Sequence, residues 1–135
     1  MNIATAMDDI AAALNGVPKL KGRNYPFWAE SVTVPASIVA WPDINFNTGF
    51  RRGMSTVEVE VFVLCGKVAV KSARDVLAAF LQGSGESSVR AAIDAFDFRD
   101  GVEATTARAR VEMITVSGVD YLAGIFTVVL NGNGE

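Results

Sequence analysis

The sequence predicts a single α+β domain in which a largely antiparallel sheet carries helices on one face and a long loop projects from it. Three observations predict this. Between Ser55 and Leu64, β-branched Val57, Val59, Val61 and Val63 alternate with Glu58 and Glu60, the period of two of a strand with one buried face. Three other stretches repeat their apolar residues at helical spacing. Residues 105–130 read as an alternating strand, the turn pair Ser117-Gly118 and an apolar returning strand. At 135 residues the chain has room for one core and not two, so residues 1–135 form one domain.

Taken in order, Ile3, Met7, Ile10, Ala11 and Leu14 form the buried stripe of a first helix, with Asp8 and Asp9 on its other face. Asn15-Gly16 stops that helix and Pro18 prevents its resumption. Lys19 to Tyr25 suggests a short edge strand, and residues 27–35 read as loop. Ser37 to Trp41, bounded by Pro35 and Pro42, reads as a buried strand. Its expected partner is the 55–64 strand, with Asp43 to Met54 as the connection. The even positions of that strand turn apolar at Phe62 and Leu64, which predicts a central strand covered on its second side by a helix or a neighbouring subunit. A second helix follows Gly66. Ser72 and Asp75 approximate a capping box, and Ala73, Val76, Leu77, Phe80 and Leu81 form its stripe. Gly83-Ser84-Gly85 breaks it, and a third helix from Ser87 or Ser88 to Phe96 buries Val89, Ala92, Ile93 and Phe96. In the closing hairpin, Ala107, Ala109, Val111 and Met113 are expected inward, with Arg108, Arg110 and Glu112 outward. The arginines would face Glu58 and Glu60 if their strands are neighbours. Val119 to Leu130 is apolar on both faces, hence central, and Asn131 to Glu135 reads as an unpacked tail.

Composition removes several function classes. No histidine is present, which excludes Ser-His-Asp and Cys-His catalysis and every histidine-ligated metal. The single cysteine, Cys65, allows neither an internal disulfide nor a multi-cysteine metal site and reads as a buried small hydrophobe. A net charge of −3 without a basic stripe argues against direct binding of nucleic acid. No apolar run approaches the roughly 18 residues of a membrane span, and Met1 to Leu14 lacks the basic start of a signal peptide, so a cytosolic product is expected. Asp94, Asp97 and Asp100 are spaced three apart and do not match a calcium loop. Gly83-Ser84-Gly85 is no nucleophile elbow, and Lys67 and Lys71 read as solvated. Nothing assembles a nucleophile, a base and an oxyanion site, so no enzyme, cofactor or metal is expected.

The connection after Pro42 is the unusual stretch. It places Ile44, Phe46, Phe50, Arg51 and Arg52 on a segment longer than a hairpin loop of about 2–5 residues, and apolar side chains beside guanidinium groups match the composition of interface anchors. Two buried phenylalanines would contribute ~3–6 kcal/mol per contact before ordering costs. The alternative is that Phe46 and Phe50 fold back into the domain's own core.

The chain as a whole resembles the tail terminator proteins of long-tailed bacteriophages, in particular the small terminators of actinobacterial phages. The resemblance is carried by MNIATAMDDIAAAL, VPASIVAWP, GFRRGMSTVEVEVFVLCGKVAVKSARDVLAAFLQGSGESSVRAAIDAF and VSGVDYLAGIFTV. It implies a structural virion protein: a homo-oligomeric ring of six copies at the head-proximal end of the tail tube, assembled in the host cytoplasm. The ring halts tube polymerisation and offers a surface to the head connector or stopper protein. The implied partners are further copies of the chain, the major tail tube protein and the connector, with DNA only passing through the lumen and no membrane. The resemblance implies no catalytic or binding residues. The competing readings are another neck protein, such as a head completion or stopper protein, and a small dimeric ligand-binding or regulatory domain.

Overall fold

The computed structural model describes residues 2–28, 31–45, 54–68 and 70–133. Its strands are β1 (Asn24–Tyr25), β2 (Ala36–Val39), β3 (Asp43–Asn45), β4 (Met54–Lys67), β5 (Glu103–Val116) and β6 (Val119–Asn133). They form one sheet in the order β1-β2-β4-β6-β5, with β3 also beside β4. Every pairing is antiparallel except that of β1 with β2. The helices among the described residues are α1 (Ile3–Leu14), α2 (Lys71–Phe80) and α3 (Val89–Ala95). None is long and apolar enough to cross a membrane. The predicted α+β domain is therefore the fold that forms.

The period of two in β4 decides where the core lies. Val57, Val59, Val61 and Val63 are fully buried, and they pair with Leu130, Val128, Phe126 and Gly124 of β6. Directly paired residues share a face, so this row belongs to both strands and forms the floor on which the helices rest. Ile10 and Leu14 of α1, Leu77 and Phe80 of α2, and Val89 and Ile93 of α3 close the same cluster. Asn2 caps α1, its Oδ1 accepting from the Thr5 amide at 3.0 Å, and Ser88 caps α3 in the same way for Ala91.

Among the described residues, the second face of the sheet is covered at one end only. Ile38, Leu64, Val116 and Ala123 are buried there with Tyr25, Val32, Val34 and Phe62 around them. The Trp28 ring meets Phe62 edge-on, with centroids 5.8 Å apart. Among the described residues, the cover over Phe62 and Leu64 is thus the chain's own segment leading into β2 rather than a helix.

Several local expectations are corrected. Of Lys19 to Tyr25 only the last two residues pair as a strand; Pro18–Leu20 is a 3-10 turn and Gly22, at φ +76°, redirects the chain. The connection is shorter than Asp43 to Met54, because Asp43–Asn45 pairs with β4 and Met54 already belongs to β4. Register runs from Val39↔Val61 to Asp43↔Glu58, four residues on one strand against three on the other. β2 and β3 are therefore one return strand with a bulge at Pro42, which has no N–H to give to a ladder. The Ser72 capping box does not form, since the N-cap of α2 is Val70 and Asp75 bonds the adjacent Arg74. Asp9 is buried rather than solvated. Residues 131–133 of the expected tail are not unpacked either, because β6 continues to Asn133 and Thr56 Oγ1 donates to Asn131 Oδ1.

Candidate assembly surface

The largest departure from expectation is in β5. A bulge between Thr106 and Arg108 leaves Ala107 as the extra residue and resets the alternation. Ala109, Val111 and Met113 then pair with Phe126, Gly124 and Leu122, so they do point to the helix side. Yet Ala107, Ala109, Val111 and Met113 are all exposed, Val111 by 52% and Met113 by 60%. The physical reason is lateral reach. α2 lies over β4 and β6, where Leu77 fits above Gly124 so closely that a Cβ there would stand 2.9 Å from its Cδ1. α3 contacts β5 only through its first residues, with Asp94 Oδ1 accepting from the Thr106 amide. Beyond Thr106 the strand extends past the helical layer.

β5 pairs only with β6, so beyond Thr106, whose amide is bonded to Asp94, its outer row of amides and carbonyls is open among the described residues. The hairpin is nonetheless firmly made. Ser117 (φ 50°) and Gly118 (φ 80°) give the two positive φ angles of a type I′ turn, and Thr115 Oγ1 donates to Asp120 Oδ1 at 2.6 Å beside it.

On the opposite face Arg108, Arg110 and Glu112 stand outward, as the alternation predicts. β4 and β5 are not neighbours, because β6 lies between them. Arg110 still reaches Glu60 by crossing β6, with Nη1 2.7 Å from Oε2, while its Nε bonds Glu112 Oε1 at 3.2 Å. Hydrogen bonds donated to Glu60 and then Glu112 raise the Arg110 pKa above its ordinary value. Arg108 makes no such bond among the described residues. It borders a polar groove of about 180 Å³ with Asp43, Glu58, Glu60, Thr127 and Trp41, whose indole is 85% exposed. Phe27 is exposed as well. A separate apolar groove of about 350 Å³ runs between α1 and α3, lined by Ala13, Gly16, Ser88, Ala92 and Phe96.

Of the predicted contact residues, Ile44 is placed by its backbone in β3, opposite Val57. Phe46, Phe50, Arg51 and Arg52 lie outside the described residues. The exposed row of β5 and the exposed Trp41 were not foreseen. The small side chains of Ala107 and Ala109 were the available signal, since a strand facing a deep core seldom presents alanines to it.

The other candidate groups offer little chemistry. Cys65 is buried, and burial pushes its thiol pKa up to about 12, so it stays protonated and unreactive at neutral pH. Among the described residues, no group of three or more His, Cys, Asp or Glu side chains converges as a metal site. No protein family and no curated protein matches the chain.

Proposed function

We propose that this chain is a self-assembling structural subunit, a tail terminator of a long-tailed phage, whose copies close into a ring of six at the head-proximal end of the tail tube. The observation that carries the reading is β5, a 14-residue edge strand whose open side and exposed Val111 and Met113 suit a protein neighbour rather than solvent. The resemblance over nearly the whole chain supplies the identity of the assembly. A subunit in a closed ring needs two different side patches, and the two ends of this sheet differ in strand length and charge. Residues 46–53, with Phe46, Phe50, Arg51 and Arg52, are assigned to contact with the next subunit or the tube.

Size-exclusion chromatography with light scattering, followed by negative-stain imaging, tests the proposal. The expected result is a ring of six copies, formed by the protein alone or on addition of tube protein. A monomer or dimer that never forms rings under either condition overturns it. Shortening residues 46–53 to a tight turn is expected to leave the fold intact and abolish ring formation. If rings and tail length survive that change, the assignment of this segment is wrong.

A further inference from the structure

We infer that the outer edge of β5 takes the β3 edge of the next copy of this chain, joining the two sheets antiparallel with Arg108 opposite the neighbour's Asp43, the residue paired with its Glu58. The inference rests on the ring reading and names the joint by which such a ring would close.

Topology supplies the geometry. β5 pairs only with β6 and β3 only with β4, so among the described residues both outer edges are open apart from the Thr106 amide. Because β1 takes the outer edge of β2 at Ser37 and Ile38, the joint is confined to residues 106–110 against 41–45. β3 runs antiparallel to β4, β4 to β6, and β6 to β5, which makes β3 antiparallel to β5. Rotation about a ring axis running along the strands preserves strand direction and sheet face. A neighbour's β3 therefore arrives beside β5 antiparallel, with like face continuing like face.

Charge decides the pairing. Arg110 already bonds both Glu60 and Glu112. The side chains of Arg108, Asp43 and Glu58 have no ion pair or hydrogen bond among the described residues. Through the registers Arg108↔Thr127, Thr127↔Glu60 and Glu58↔Asp43, these groups share the face away from the helices. Within one copy the Arg108 and Asp43 backbones stand three strand spacings apart, about 14 Å, and their side chains border the same groove without bonding. Across the joint they stand one spacing apart, where opposite charges on facing residues attract. In that register Trp41 of the neighbour falls beside Arg110, which gives its exposed indole a guanidinium to cover.

Two-fold pairing of β5 with β5 of a second copy is the main rival. Centred near the middle of the strand, it sets Arg108 against Glu112, with Arg110 facing Arg110, or against Ile114. Neither register offers Arg108 a free carboxylate.

The test uses the full chain and the ring assay above. Arg108→Glu and Asp43→Arg should each lose the ring species, and the double variant should regain it, with circular dichroism and melting unchanged throughout. As a second measurement, oxidising the double variant Arg108→Cys, Asp43→Cys should give a ladder of covalent multimers that neither single variant forms. Rings that persist in both single charge variants, or a double variant that fails to recover them, overturn the joint while leaving the ring reading in place. A disulfide-linked dimer from Val111→Cys alone also overturns it, in favour of two-fold pairing. Wild-type protein that never forms rings ends both.

Discussion

Asp9 shows how much one side chain can decide in a small domain. It lies on α1 with only 4% of its surface exposed, and it accepts three bonds from Arg99: the backbone amide at 3.0 Å, Nε at 2.8 Å and Nη2 at 2.7 Å. A carboxylate taken out of water is tolerated only when so bonded, and these bonds also tie the turn before β5 to the first helix. Asp9→Ala leaves the Arg99 amide without its acceptor and should lower unfolding free energy by about 2–3 kcal/mol in urea titration. Cys65 makes a different prediction. Because the folded thiol has its pKa raised to about 12, the native protein keeps a proton there that the unfolded chain gives up earlier. Its stabilising contribution is complete below the ordinary thiol range and declines as pH rises toward that value. Native protein at pH 8 should resist alkylation at Cys65, and denatured protein should react fully; rapid native labelling would contradict the burial described. Gly124 is a third case, since α2 lies directly above it. Gly124→Val should force Leu77 and Phe126 apart and cost about 1–3 kcal/mol.

At the scale of elements, the parts legible in the sequence were those whose burial depends on their own periodicity. β4 declared its buried row through Val57 to Val63, and α1 its stripe through Met7, Ile10 and Leu14. The turn at Ser117-Gly118 followed from local chemistry alone. The parts that did not show depend on what lies across space. Nothing in Thr105 to Val116 tells the reader that α2 and α3 stop short of it, so the alternation gave the right face and the wrong burial. A single-residue bulge at Pro42 likewise turned part of an expected loop into β3. Because residues 107–113 of β5 are exposed on both faces, substitution there should separate folding from assembly. Val111→Lys and Met113→Lys should each change monomer stability by no more than about 0.5 kcal/mol while suppressing self-association in light scattering. A large loss of stability would mean that the row is buried in the folded monomer after all.

For the whole molecule, the described residues combine a one-sided helical layer, a sheet open at two unlike ends and a charge distribution that leaves Arg108 at one end and Asp43 with Glu58 at the other. If that distribution guides assembly, salt should weaken it. Raising ionic strength from 0.1 to 1 M shortens the screening length from about 10 to about 3 Å, and the ring population should fall along that series. Assembly driven by the apolar row alone would hold steady or strengthen. The bond from Arg110 to Glu60 has a mechanical corollary. It passes over β6 and fastens the outermost strand to the middle one. A copy tugged at its rim therefore passes the tension into the centre of its own sheet, sparing the last ladder of backbone bonds from carrying the pull unaided.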